Sequence, residues 1–293
     1  MEERMKKLTS ETSSKLINAV KEIYNWKNGF CGPQPISIER KHLSVLKNDY
    51  YASFKADGIR FCFVCLKYQN KNLCLFFDRK LDVYQLRMHV PREFFKGTLV
   101  DGEIITHNGK TYFLGFDCMM VSGKNTSDLS FRERLDHVDV VCKSVSSDFF
   151  NFKTKLFKNL TEFTDEDGEF PSDGYIFMPN NEPIKFGTHN TFFKLKAGLD
   201  NTVDFVIDEK HKLCLIKSGT LTKTMNKIDY SLISKEQIIP NSVYECKFAG
   251  DKLWLPMSQR TDKTSPNSYY VYQRTLVNIK ENISMSEILQ HLQ

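Results

Sequence analysis

Apolar residues along most of this chain recur at strand spacing, and at three places the spacing lengthens to that of a helix. Leu16, Ile17, Val20, Ile23 and Tyr24 fall on one helical face behind Ser10 and Thr12, which are N-cap residue types, so an amphipathic helix is expected over 10–26. Gly32, Pro33 and Pro35 then break the pattern. Strand-like runs follow over 50–54, 59–68, 73–77, 98–105 and 111–118, separated by Asp57-Gly58, by Asn70 with Asn72, and by Asn108-Gly109. Ser130 and Glu133 make a capping box ahead of Leu135, Val138, Val141, Cys142 and Val145, which predicts a helix over 130–146. The acidic stretch 164–169 reads as a surface loop, and strands are expected over 174–178, 183–187 and 192–195.

Beyond residue 200 only short strands are predicted, over 202–207, 212–217 and 242–248 and around Trp254, which suggests a small barrel. Ser284 and Glu287 open a last short helix with Ile288, Leu289 and Leu292 on one side. The expected fold class is α+β. A domain of antiparallel sheets and flanking helices covers 1–200, a β-barrel covers 201–281, and a helix over 282–293 packs back on the first domain.

Composition adds bounds. At 293 residues the chain has room for two average domains, and 41% hydrophobic residues exclude wholesale disorder. The net charge of +5 permits polyanionic partners without requiring them. Eight scattered cysteines point to a reducing, intracellular setting. Cys62 and Cys65 form a CxxC, but three apart on a strand they face opposite ways, so buried thiols are expected and not zinc. No window approaches the roughly 20 apolar residues of a membrane span, and the charged N-terminus lacks the apolar segment of a signal peptide.

Candidate chemistry starts at Lys55-Ala56-Asp57-Gly58-Ile59-Arg60, where an amine and a guanidinium flank an Asp-Gly turn between two strands. Lys194 and Lys196, two apart on a strand, put both ammonium groups on one face, an arrangement that an anion would stabilise. Asp101-Gly102-Glu103 and Asp173-Gly174 offer carboxylates at strand edges, as Mg²⁺ or Mn²⁺ beside a triphosphate needs. Near the end, Trp254 precedes Arg260-Thr261-Asp262-Lys263 and Pro266-Asn267. Taken singly, each of these also reads as a solvated turn or strand edge.

In order, KADGIR, FFDRKLDVY, VDGEI, SDGYIF, FFKLKAGLDNTVDF and WLPMSQRTDKTSPN resemble the motifs of the covalent nucleotidyltransferases, the superfamily of ATP-dependent polynucleotide ligases and mRNA capping enzymes. GPQPISIERK, NTVDF and the RTDKxxPN ending resemble the capping guanylyltransferases more than the ligases, and the compact length is similar to the single-polypeptide enzymes of large eukaryotic DNA viruses. The resemblance spans roughly residues 30 to 290. It implies a nucleotidyltransferase domain, ATP-grasp-like in the ligase and capping-enzyme manner, followed by an OB-fold barrel that closes over nucleotide.

The resemblance also implies roles. Lys55 would attack the α-phosphorus of GTP and carry GMP to a 5′-diphosphate RNA end, with Mg²⁺ or Mn²⁺ as cofactor. A lysine attacks only as the neutral amine, which Arg60, Lys194 and Lys196 would favour by like-charge repulsion. Asp57 and Gly58 belong to the nucleotide-binding turn. Arg60 and Glu103 would hold the ribose, Arg79 the sugar and phosphate edge, and Asp173, with Glu103, the metal. Phe116 and Ile176 would sandwich guanine, and Lys155 would read its O6, with Lys153 and Lys158 as rivals. Arg260, Asp262 and Lys263 would align the leaving pyrophosphate. Ala56, where threonine is frequent, and Ala197-Gly198, in place of a proline-containing pair, depart from the family pattern without removing a reacting group. A monomer is expected, with a separate RNA triphosphatase and cap methyltransferase as partners. The competing readings are a ligase that adenylates Lys55 and a catalytically inactive nucleic-acid-binding relative.

Overall fold

The computed structural model describes residues 5–27, 29–46, 49–164, 168–261 and 263–292. The chain divides into two compact units, one of residues 1–36 and 45–194, the other of residues 37–44 and 195–291.

In the first unit the described residues form two sheets. The larger runs in the order Lys6–Lys7, Val83–Leu86, Lys71–Asp78, Ile59–Tyr68, Thr98–His107, Lys110–Val121 and Asn151–Thr154, with Lys124–Asn125 added beside Lys110–Val121. Its ladders are antiparallel except the last, where Asn151–Thr154 lies parallel to Lys110–Val121. Strand Ile59–Tyr68 sits in the middle and is covered on both faces, which explains its near-continuous apolar sequence. Phe61, Phe63 and Cys65 enter one apolar cluster, and Cys62, Val64 and Leu66 enter the other.

Helix α1 (Ser10–Tyr24) contributes Leu16, Ile17, Val20 and Tyr24 to the second of these clusters. Helix α2 (Phe131–Ser144) contributes Leu135, Val138, Val141 and Cys142 to the first. Each such side chain contributes about 1.5–3 kcal/mol by leaving water. The capping box at Ser130 and Glu133 forms as the sequence suggests. The cap of α1 is Thr9, not Ser10 or Thr12, because the helix already includes Ser10 and the Thr9 hydroxyl accepts from Thr12 N.

The smaller sheet runs Lys158–Asn159, Tyr50–Ala56, Ser172–Pro179, Gly187–Leu195, Pro33–Ser37. Residues 183–187, expected as a strand, form an irregular segment that enters a strand only at Gly187. Its backbone is committed elsewhere: Ile184 N donates to Ser127 O, and just before the segment Glu182 O accepts from the buried Arg134.

The second unit is built on a sheet in the order Thr220–Lys223, Leu213–Lys217, Thr202–Ile207, Ser242–Gly250, Leu253–Gln259, Lys227–Ile228. A helix that the strand-only expectation missed, α3 (Tyr269–Glu281), lays Tyr269, Tyr272, Leu276 and Ile279 against the cluster around Phe205 and Trp254. Its signal was present in Ser268, which caps it, and in the helical spacing of those four residues. Helix α4 (Met285–His291) follows, with Ser284 Oγ accepting from Glu287 N. The segment 37–44 is strapped to α3 and α4: Glu39 pairs with Arg274, Arg40 with Glu287, and Ile38 O accepts from Asn278 Nδ2 at 2.6 Å.

Candidate active site

The Asp57-Gly58 turn does not close a hairpin. Tyr50–Ala56 belongs to the smaller sheet and Ile59–Tyr68 to the larger, so these two residues carry the chain from one sheet to the other. Asp57 N donates to Pro171 O at 3.0 Å, and Gly58 N to Glu103 Oε1 at 3.2 Å. A Cβ on Gly58 would stand 2.6 Å from Ile104 O and 2.7 Å from Glu103 Cγ, so the corner closes only around glycine. Lys55 and Arg60 therefore project from different sheets that meet at this corner.

Lys55 Nζ lies 2.6 Å from Asp173 Oδ1, and both side chains are partly exposed. Asp173 comes from the neighbouring strand, where a bulge between Ser172 and Tyr175 interrupts the register. Arg60 faces Glu103 across the ladder of the larger sheet, but its guanidinium is held by Asp101, which the sequence offered only as a carboxylate for a metal. Arg60 Nε donates to Asp101 Oδ1 at 2.9 Å, its terminal nitrogen reaches Asp101 Oδ2, and that nitrogen also donates to Pro33 O at 2.9 Å. Burial opposes the charge on Arg60, and attraction and hydrogen bonding from Asp101 outweigh it, holding the guanidinium above its usual range. Asp101 lies within a quoted motif; the signal that could have singled it out is its place directly after Leu99 and Val100 in a strand whose residues 98–102 are all buried, where a carboxylate must be paired.

Lys155 stands at the end of strand Asn151–Thr154, is buried, and approaches Glu103 Oε2 at 3.8 Å. Burial holds its ammonium below the usual lysine range, with Glu103 opposing and Lys55 adding to the effect. Lys153 is exposed and pairs with Glu169, and Lys158 lies in the short strand beside Tyr50–Ala56. Lys155 is thus the rival whose ammonium is seen approaching Glu103. Phe116 has the Arg60 guanidinium 5.5 Å from its ring centre and the Lys155 ammonium 5.7 Å away. Phe116 and Ile176 both pack on the larger apolar cluster. Arg79 lies just past strand Lys71–Asp78, and burial first, then repulsion from Arg60, holds its guanidinium below the usual range, with Asp101 and Glu103 opposing.

Lys194 is in the first unit, within strand Gly187–Leu195. That strand ends at Leu195, so Lys196 lies past it, and strand alternation does not place the two lysines on one face. In the second unit, Arg260 and Lys263 converge on one buried carboxylate, Asp204. Arg260 donates to Asp204 Oδ1 at 3.2 Å, and Asn267 braces the same strand by accepting from Asp204 N and donating to Asp204 O, both at 2.8 Å. Asp262 lies outside the described residues. Among the described residues no cluster of three or more His, Cys, Asp or Glu is arranged to hold a metal, and Cys62 and Cys65 neighbour Cys31 and Cys74 respectively on opposite faces. No helix among them is long and apolar enough to cross a membrane.

Comparison with known proteins agrees with this arrangement. Residues 2–164 match the family described as mRNA capping enzyme, catalytic domain, and residues 186–289 match mRNA capping enzyme, C-terminal domain. Among curated proteins the chain is similar to the mRNA-capping enzyme subunit alpha of Neurospora crassa, 24% identical over 89% of this chain and 84% of that one. It is also similar to the mRNA-capping enzyme of Danio rerio, 26% identical over 91% of this chain and 50% of that one. Among solved structures, mycobacterial DNA ligase D complexed with ATP and MES is similar at a TM-score of 0.49 and 12% identity, over 79% of this chain and 95% of that one, which carries no part of the assignment. With the catalytic-domain family covering more than half of the sequence and the C-terminal family following in order, this chain belongs to the mRNA capping enzymes, which are nucleotidyltransferases.

Proposed function

We propose that this mRNA guanylyltransferase carries its guanylate on Lys55. The observation that supports the assignment is the Lys55–Asp173 contact set beside Arg60, Glu103 and Lys155 where two sheets meet. Lys55 Nζ attacks the α-phosphorus of GTP, an N–P bond forms, the bond to the bridging oxygen of pyrophosphate breaks, and the amine loses a proton. A terminal oxygen of a 5′-diphosphate RNA then attacks the same phosphorus, the N–P bond breaks, and GpppN leaves.

The side chains divide this work by their chemistry. Lys55 must leave Asp173 for its nitrogen to reach phosphorus. Arg60, Lys194 and Lys196 supply positive charge where charge builds on the phosphoryl oxygens. Phe116 and Ile176 are the apolar walls for the purine, Lys155 is the donor toward its O6, Arg79 serves the sugar and phosphate edge, and Lys194 and Lys196 the phosphates. Arg260 and Lys263, with Asp262, align the leaving pyrophosphate.

Asp173 and Glu103 suit Mg²⁺ or Mn²⁺: hard oxygens, two in number, fit a cation that takes one or two carboxylates and fills its remaining positions with phosphate oxygens and water. When bound, that ion neutralises phosphate charge. The transferring domain, expected over 1–200, corresponds to the first unit, residues 1–36 and 45–194, and the OB-type domain, expected over 201–281, to the second, residues 37–44 and 195–291. The name subunit alpha carried by fungal relatives supports a separate partner, which would supply the RNA triphosphatase, with cap methylation on a further protein.

The test is incubation with labelled GTP and a divalent cation. An acid-labile, alkali-stable GMP adduct that is absent in Lys55→Ala is expected. An adduct formed from ATP alone would assign the chain to ligation instead.

A further inference from the structure

The second unit holds a cleft of about 340 Å³ that none of the roles above uses. Lys217, Lys223 and Lys252 line it, and its described lining contains no carboxylate. Lys217 adjoins the Ser218-Gly219 turn and Lys252 sits in the Asp251-Lys252 turn, where the backbone of all four turn residues is left-handed, so both cations ride on tight hairpins. Lys223 is paired with Asp208 at 3.1 Å. Between the hairpins stands the Tyr269 ring, with the Lys217 ammonium 5.2 Å from its centre. The floor is ordered by Tyr272, whose hydroxyl donates to the buried Asn226. The rim carries Met225, 83% exposed and the most exposed large apolar side chain among those described.

An aromatic face, an exposed thioether and two lysines, Lys217 and Lys252, in a lining without carboxylates are what a single-stranded nucleic acid engages, phosphates on the lysines and a base on the ring. A bare phosphate needs no ring. We propose that this cleft binds the acceptor RNA downstream of its 5′ end, through Lys217 and Lys252 on backbone phosphates and Tyr269 under a base; the choice of RNA rests on the guanylyltransferase reading. A base over Tyr269 takes the position that Lys217 holds above the ring, and Lys217 turns to the adjoining phosphate. The cleft thus adds affinity without specifying sequence.

The experiment uses the full chain, a fluorescent ten-nucleotide RNA with a 5′-diphosphate, and the double variant Lys217→Glu/Lys252→Glu, whose side chains are exposed. By fluorescence anisotropy the variant should bind the RNA about tenfold more weakly, and its log–log salt slope should be shallower by about 1.4, two phosphate contacts at roughly 0.7 each. GMP adduct formation from GTP should be unchanged. RNA affinity within twofold of wild type overturns the proposal. So does unchanged RNA affinity with loss of binding to a phosphoserine peptide, which would assign the cleft to a protein partner. If wild type formed no adduct while the double variant still lost RNA affinity, the guanylyltransferase reading would fail and the cleft would stand.

Discussion

Replacing Asp101 by Asn should weaken the first unit and its chemistry together. Arg60 is 11% exposed at its side chain and Asp101 fully buried, so neither charge can fall back on water when the other is removed. Two unit charges about 4 Å apart are worth roughly 4 kcal/mol at an effective dielectric of about 20, and breaking one side of a buried pair costs about 3–5 kcal/mol. Asn keeps one acceptor oxygen and Arg60 keeps Pro33 O, which places the loss near the lower end, about 3 kcal/mol. With a urea slope of about 2 kcal/mol per molar, the midpoint should fall by roughly 1.5 M.

The two tryptophans lie one in each unit, so a Trp254→Phe background reads the first unit through Trp26. Among the described residues the Trp254 Nε1 finds no hydrogen-bond partner, so the background substitution forfeits no polar contact among them. Adduct formation, measured without urea, should drop at least tenfold because Arg60 loses its brace. Glu103→Gln, which keeps an oxygen for Gly58 N, should cost only about 1 kcal/mol. A midpoint shift below roughly 0.5 M for Asp101→Asn would refute the reasoning, since a loss under about 1 kcal/mol is what an exposed pair gives.

Gly58→Ala should push Glu103 and the backbone at Ile104 apart, cost about 1–3 kcal/mol, and slow adduct formation more than it lowers the thermal midpoint; equal activity would show that the corner has slack. Asp204→Asn should destabilise the second unit by about 2 kcal/mol, read by Trp254 fluorescence, because Arg260 and Lys263 lose their shared carboxylate. No change would mean that other partners hold both cations. His189 stacks on Phe192, and burial holds its imidazole below the ordinary value near 6.5. The unfolded chain therefore takes up this proton first as pH falls, and stability should decline from about pH 6.5 down through the folded value, by at most about 1.4 kcal/mol per unit. His189→Gln should flatten the urea-midpoint profile just below about pH 6.5, and an identical slope in the variant would exclude this residue as the cause.

The strands were legible because apolar runs bounded by turn residues are local signals: residues 59–68 and 202–207 coincide with the strands observed. What such runs do not encode is which strand pairs with which. Asp57-Gly58 reads as a hairpin because the residues around it are strand-like on both sides, yet pairing is decided by partners far along the chain, Ser172–Pro179 for one strand and Thr98–His107 for the other. Helix α3 was missed for the opposite reason: Tyr269, Tyr270 and Tyr272 favour strands locally, and packing on Trp254 and Phe205 overrides that preference. At the site, the motifs pointed to Lys55, Arg60, Glu103 and Asp173. That Asp101 and Asp204 are the carboxylates that hold Arg60 and Arg260 with Lys263 is settled by contacts across the sheets, which the sequence does not give.

Because residues 37–44 are counted with the second unit, that unit cannot be obtained by cutting the chain once. A fragment starting at Leu195 would present Arg274 without Glu39 and Asn278 without Ile38 O, a bare seam along α3 where eight residues belong. Supplying that octet as a peptide in trans, or splicing it to the fragment's end, is the condition under which the C-terminal half can be prepared alone.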